Sequence, residues 1–216
     1  VVNELAVQAI TLGQRGKARE LFQRAASLAA ARNRPELVAV LKEAGAADLY
    51  GDCQATGPLL SNPRPCADPQ AELKVVESAL VERPADTILN SVELPRWRAV
   101  IELRRNRPDD AIDLLAAAAP YDFRYPGSAY VRGQAYLRSG KWLEAASEFQ
   151  KLVNHKGLTW GAWYSLAHVG LARAAARAGD TARAKKAYED FLDLWNGADP
   201  DITILIDARK AYSALR

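Results

Sequence analysis

Several features of enzymes and membrane proteins are missing from this sequence. Its 216 residues contain no methionine, two cysteines and two histidines. No run of about 18 apolar residues occurs, so we predict no membrane-spanning helix. The start, Val1–Glu4, lacks the basic region that opens a secretory signal. The missing initiator methionine leads us to expect part of a longer protein, or a sequence from which residues are missing.

The two cysteines form no recognisable metal-binding pattern. Cys53 and Cys66 are 13 residues apart, and the chain has no second pair. This spacing does not match the ligands of a zinc finger or zinc ribbon. Free, partly buried thiols and a disulfide that closes a loop both remain open. A metal site is the least favoured interpretation, and we predict none.

Catalytic motifs are absent as well. The sequence has no HExxH, no GxSxG and no Walker loop. His155 is expected at a helix C-terminus, where the helix dipole favours a cation. His168 is expected to be packed and hydrogen-bonded, and the carboxylate clusters lie near helix ends or on solvated faces. We therefore predict that the chain is not an enzyme and uses no cofactor.

One helical pattern occurs in four copies. Each copy has glycine or asparagine first, a small residue five positions later and a large apolar residue four positions after that. The copies are Gly13–Ala18–Phe22, Asn106–Ala111–Leu115, Gly140–Ala145–Phe149 and Gly179–Ala184–Tyr188. The step from the second copy to the third is 34 residues, which is the period of the tetratricopeptide helix pair. The next step is 39, which indicates an insertion of about five residues.

The pattern has a steric explanation. The first residue ends a helix at a turn that favours a positive φ. The small residue lies where the two helices of a pair cross, and the large residue fills the space to the next pair. No segment shows the sustained alternation of a strand. We predict an all-α, tetratricopeptide-like, right-handed solenoid of antiparallel helix pairs with a C-terminal capping helix.

The predicted solenoid is one continuous superhelical domain with three parts. Residues 1–50 form N-terminal helical repeats, 51–69 form an irregular loop or degenerate repeat rich in proline, and 70–216 form the main array with its cap. Helices are predicted over 70–82, 92–106, 111–119, 129–139, 142–153, 164–178, 181–195 and 202–215. The insertion holds Trp160, Gly161 and Trp163, which either fill a gap between repeats or form a functional feature.

Two stretches resemble a known family. Ala129–Gly157 and Ala167–Leu205 are similar to the C-terminal tetratricopeptide region of bacterial eukaryotic-like serine/threonine protein kinases, notably those of Acidobacteria. The resemblance covers most of Arg83–Arg216, and Leu12–Ala44 more weakly. It implies an attached kinase domain, often with a membrane segment, or in some relatives a winged-helix DNA-binding domain. No kinase motif lies in this sequence, so no catalytic role is carried over.

An arginine row is the main candidate for partner binding. Arg104, Arg138 and Arg177 each lie two residues before a turn position of the pattern, and Arg173 lies one turn before Arg177. The arginines either offset the helix dipole or bind a carboxylate, a phosphate or an acidic peptide. Tyr130 also fits a contact between repeats. Further candidates are expected on the inner faces of the first helices: Arg96, Tyr130 and Gln134.

We predict a non-catalytic protein–protein interaction or sensory module, the helical-repeat part of a bacterial signalling kinase. Its partner would be a protein or peptide, in particular an acidic one. The net charge of +3 is too small to indicate direct nucleic-acid binding. The alternatives are a self-associating scaffold, with a homodimer as its simplest form, and the effector domain of a winged-helix transcription regulator. The sequence fits both a cytoplasmic location and the extracytoplasmic part of a membrane-anchored protein.

Overall fold

The computed structural model describes residues 5, 6, 8, 9, 12–35, 37, 38, 69–156 and 162–215, which are helical and contain no strand. The predicted all-α class is therefore confirmed for this part of the chain. Nine α-helices have defined bounds within the described ranges: α1 (Arg15–Ala31), α2 (Pro69–Glu82), α3 (Leu94–Arg104), α4 (Pro108–Leu115), α5 (Pro126–Arg138), α6 (Trp142–Asn154), α7 (Ala162–Arg177), α8 (Thr181–Leu194) and α9 (Thr203–Ala214). A π-helix (Leu89–Glu93) precedes α3, and a 3-10 helix (Ala116–Tyr121) follows α4.

The helices pack as adjacent pairs along the chain. The pairs are α3 with α4, α5 with α6, and α7 with α8, while α2 lies against α3 and α9 against α8. The first helices of successive pairs also touch, α3 against α5 and α5 against α7. Within the described ranges, no helix combines the length and the apolar character needed to cross a bilayer.

The four predicted turn positions share one backbone geometry. Gly13, Asn106, Gly140 and Gly179 have φ angles of 70°, 58°, 77° and 83°. After each of them, the next residue donates its backbone N–H to the carbonyl five positions earlier, at 2.8 or 2.9 Å. This bond defines the Schellman motif, which closes a helix C-terminus. The predicted positive-φ turn is confirmed in all four copies.

The other residues of the pattern form the core. The four small residues are fully buried, and the four large ones are at most 2 % exposed. Phe149 of α6 shows how closely the pairs approach, because its ring lies between α5 and α7. A Cβ added at Gly133 would lie 2.8 Å from that ring, and one added at Gly170 would lie 2.5 Å from it. The predicted role of the aromatic residue, filling the space to the next pair, is confirmed here.

Three predicted helix boundaries were wrong, and each correction involves proline. The α-helix predicted over 92–106 begins at Leu94, because residues 92 and 93 belong to a π-helix that ends two residues before Pro95. Proline has no N–H and clashes with the carbonyl four residues earlier, which displaces the bonding pattern. The helix predicted to stop before Pro120 continues through it as a 3-10 helix. The next begins at Pro126, three residues earlier than predicted, because proline fits the first turn.

A buried ionic cluster fixes α5 to its neighbours. Arg132 is 5 % exposed, and its Nη2 donates to Oε2 of Glu148 at 2.8 Å. The same nitrogen pairs with Asp122, and Nη1 donates to the carbonyl of Leu115 at 3.1 Å. Burial raises the pKa of the Asp122 carboxyl, and the Arg132 charge opposes that rise. The cluster joins α4, α5 and α6, and so holds α5 in place.

Helix α1 and the turn before it pack against the far end of the chain. The connector between α8 and α9 carries Asp199, whose N–H donates to the Gly13 carbonyl at 3.0 Å. A Cβ at Gly13 would lie 2.7 Å from the Ala198 side chain and 2.9 Å from the Trp195 ring. Through these contacts α1 shares one buried cluster with α8 and α9. The described part of residues 1–50 therefore lies beside the last helices of the array.

Some sequence predictions concern residues outside the described ranges. The predicted loop over 51–69 lies there except for Pro69, which begins α2. Cys53 and Cys66 lie there too, as do Trp160 and Gly161 of the insertion.

Candidate functional site

An open groove of 760 Å³ lies between α5, α7 and α9. Except for Asp207, which lies near the middle of α9, the residues from these three helices belong to their C-terminal halves. Helices α6 and α8 add one aromatic residue each. The lining residues are Leu137, Arg138, Trp142, Arg173, Ala176, Arg177, Tyr188, Asp207, Lys210, Ala211 and Ala214. Four of them are cations, one is a carboxylate, and most of the others are apolar. The groove is therefore basic, with apolar surface between its charges.

Arg138 has a structural role in addition to its place in the groove. Its Nη1 donates to the Leu103 carbonyl at 2.7 Å, at the C-terminal end of α3. Burial lowers the pKa of this guanidinium, which nevertheless stays cationic at neutral pH. The helix-end interpretation of the arginine row therefore holds for Arg138. The helix that it stabilises belongs to the preceding pair, because the first helices of neighbouring pairs lie side by side.

Arg173, in the lining of the groove, interacts with two buried tyrosines. It forms a hydrogen bond with the Tyr188 hydroxyl. Burial raises the pKa of Tyr188, and the Arg173 charge opposes the rise. Burial also raises the pKa of Tyr130, again against the charge of Arg173. Both phenols are therefore neutral at neutral pH, so they do not cancel the positive charge of the arginine.

Arg177 and Lys210 face the groove from α7 and α9. The Arg177 guanidinium lies 5.7 Å from the centroid of the Trp142 ring. Such a cation–π contact orients the guanidinium while leaving its N–H groups available. Lys210 is exposed on α9. Within the described part of the chain, no ion pair is formed by Arg173, Arg177 or Lys210. These three cations are available to an anionic ligand.

The structure separates the remaining predicted site residues from the groove. Tyr130 is 4 % exposed, and its ring packs on Phe149 and Trp163 at centroid distances of 5.7 and 4.9 Å. It therefore makes the contact between repeats that was the alternative interpretation. Gln134 is buried and hydrogen-bonded to Tyr130. The groove lining contains neither of these two residues.

The two arginines of α3 that were predicted as site residues also lie away from the groove. Arg96 is 9 % exposed, is paired with Glu93 and lies 5.0 Å from the Trp97 ring centroid. Arg104 is exposed in the last turn of α3. Of the predicted arginine row, the structure thus brings Arg138 and Arg177 to one groove, together with Arg173.

Sequence reasoning missed the contribution of α9 and of two aromatic residues. Neither Lys210 nor Asp207 was among the predicted site residues. Asp207, Lys210, Ala211 and Ala214 follow the i, i+3, i+4, i+7 spacing of a single helix face. That spacing is a usable signal, but only packing shows that this face lies opposite α7.

His168 corrects one detail of the sequence reasoning. It is 4 % exposed and packs edge-on against Tyr164 at 4.9 Å, as predicted. The predicted hydrogen bond was wrong, since neither ring nitrogen has a partner among the described residues. Burial lowers the pKa of its imidazole. No metal-binding group of three His, Cys, Asp or Glu side chains occurs among those residues either.

Comparison with known proteins assigns the chain to no family. No model of a known protein family matches the chain, and no curated protein matches it. The class of protein is therefore defined by the fold and the groove alone. The described part of the chain is all-helical and is built of packed helix pairs, with a basic groove lined mainly by three of the helices.

Proposed function

We propose that the chain is a non-catalytic protein-interaction module that binds an acidic peptide segment in the groove between α5, α7 and α9. The supporting observation is that three cations without ion-pair partners in the described chain, Arg173, Arg177 and Lys210, line one groove. Guanidinium groups form charge-assisted hydrogen bonds with carboxylates. The Trp142 ring and the alanines beside them offer apolar surface to the rest of a peptide.

The proposal includes a finer description of the fold, a right-handed tetratricopeptide-like solenoid. The four Schellman turns, the buried small residues at the helix crossings and the contacts of α3 with α5 and α5 with α7 support it. The resemblance to kinase-associated repeats supports a further step. In this proposal the chain is the helical-repeat part of a bacterial signalling kinase, and peptide binding is passed on to the attached domain.

Fluorescence anisotropy with a labelled hexaglutamate peptide tests the binding proposal. The test variant is Arg177→Glu/Lys210→Glu, which leaves the Arg138 cap intact. The matched control is Arg19→Glu/Arg209→Glu, which reverses two exposed cations outside the groove and gives the same net charge. We expect the wild type and the control to bind, with affinity falling as salt rises. The groove variant should bind at least about tenfold more weakly, since two attractive charges become repulsive.

Other outcomes would contradict the proposal. Equal losses in both double variants would mean that the peptide responds to net charge and not to the groove. Equal binding of a hexalysine peptide would exclude recognition of acidic groups. A dimer whose population rises with concentration in light scattering, without any peptide binding, would favour the self-associating scaffold.

A further inference from the structure

The contact between the start of α1, including the turn at Gly13 before it, and the connector before α9 is closely fitted. Asp199 makes two hydrogen bonds across it. Its N–H donates to the Gly13 carbonyl at 3.0 Å, and its Oδ2 accepts from the Gly16 N–H at 2.9 Å. Gly13 combines a φ of 70° with a Cβ position only 2.7 Å from the Ala198 side chain. Trp195, fully buried, lies against the same glycine.

This connector leads directly into one wall of the groove. The N-cap residue of α9, Ile202, is fully buried, and its N–H donates to the Asp199 carbonyl at 3.4 Å. Ile202 and Leu205 share a core cluster with Phe22 of α1. The groove residues of α9 begin two residues after Leu205 on the same continuous helix. A shift of the connector would therefore move the whole groove face of α9 as a rigid unit.

We propose that docking of α1 positions α9, so that the N-terminal unit regulates the groove at a distance. This inference rests on the proposed peptide-binding function. With α1 docked, Asp207 and Lys210 lie opposite α7, and the groove has its observed width. With α1 released, α9 loses one of its supports, and only a fraction of molecules presents the complete groove. The apparent dissociation constant then rises in inverse proportion to that fraction.

Three variants of the 216-residue chain test this regulation without touching a groove residue. Asp199→Ala removes the acceptor of the Gly16 N–H, whereas Asp199→Asn retains a side-chain oxygen in its place. Gly13→Ala places a methyl group against Ala198 at a positive φ. The measurements are the affinity for labelled hexaglutamate and the hydrogen exchange of the α9 amides.

We expect the alanine variants at positions 199 and 13 to bind about fivefold more weakly and to exchange faster in α9. Asp199→Asn should stay within about twofold of the wild type. A general loss of stability must be separated from this effect, and Val76→Ala in α2 provides the control. Val76 is 7 % exposed and belongs to the other core cluster. This variant should lower the melting temperature without changing the affinity.

The outcomes distinguish the two proposals. If the wild type does not bind the peptide, the proposed function is refuted, and the regulatory role with it. If the wild type binds and Asp199→Ala binds equally well, only the regulatory role is refuted. The same conclusion follows if Val76→Ala weakens binding as much as Asp199→Ala does, because the effect would then reflect stability alone.

Discussion

Replacing Gly170 by alanine tests the packing between helix pairs most directly. Gly170 lies within α7, where alanine is normally the better residue, by about 1 kcal/mol. At this position, however, the structure predicts that alanine lowers the stability of the protein. The new Cβ would lie 2.5 to 2.6 Å from three ring carbons of Phe149, well inside ordinary van der Waals contact. The ring cannot retreat towards α5, because it also lies close to Gly133 and packs on Tyr130.

The magnitude follows from two opposing effects. Overpacking a close-fitting core typically costs about 1–3 kcal/mol, and the helix-propensity gain offsets about 1 kcal/mol of that. We therefore expect Gly170→Ala to destabilise the protein by about 1 kcal/mol. In a chain of this size the melting temperature should fall by about 2–4 °C. Gly16→Ala is the matched control, because a Cβ there meets nothing within 4 Å and should only raise helix propensity.

Urea unfolding followed by circular dichroism gives the free energies, and a double-mutant cycle assigns the cause. If the clash is with the ring, Phe149→Leu should cost about 1 kcal/mol less in the Gly170→Ala background than in the wild type. Independent effects of the two substitutions would contradict this explanation. Increased stability of Gly170→Ala alone would refute the reasoning outright, since the pairs would then have room to separate.

In addition to the predictions for the groove and for α1, two further predictions concern single side chains. Arg138→Ala should cost about 1 kcal/mol in thermal unfolding, because the Leu103 carbonyl loses its donor. Arg177→Ala, which removes a cation–π contact but no hydrogen bond to a helix end, should cost about 0.5 kcal/mol. Equal costs of the two substitutions would contradict the capping role of Arg138. Stability should also fall as the pH drops below about 6.5, because the unfolded chain then binds a proton that buried His168 binds only at lower pH. Urea unfolding at about pH 7.5 and about pH 5.5 measures this loss of stability, and His168→Phe should make it smaller. An unchanged loss in the variant would mean that other groups cause the pH dependence.

The turns and the core positions were predictable because their causes are local. A glycine or asparagine that ends a helix, and a small residue five positions later, are set by backbone sterics within about ten residues. The burial of Ala145 and the positive φ of Asn106 therefore follow from the sequence pattern. The arginine row was partly predictable for the same reason, because each of its three arginines lies two residues before a turn in the sequence.

What the sequence did not show depends on contacts between distant segments. Residues 183 positions apart meet where the Gly16 N–H binds Asp199, and no periodic pattern encodes that pairing. The same holds for Arg138, whose acceptor, Leu103, lies 35 residues earlier. The π-helix before Pro95 is a case of competing local rules, in which the missing N–H of proline overrides the regular helical pattern.

The helix ends themselves oppose the proposed ligand, and the charges of the groove decide whether it can bind. Most residues that α5, α7 and α9 contribute to the groove lie in their C-terminal halves, and each helix C-terminus carries about half a negative charge. Three such ends amount to about −1.5 charges, against four cationic side chains and one carboxylate in the lining. The net charge of the groove is therefore about +1.5, so an acidic segment is attracted. Reversing Arg177 and Lys210 shifts the balance by four charges and makes it negative. The sign of the groove therefore depends on those two residues, which explains why their double reversal is the decisive variant.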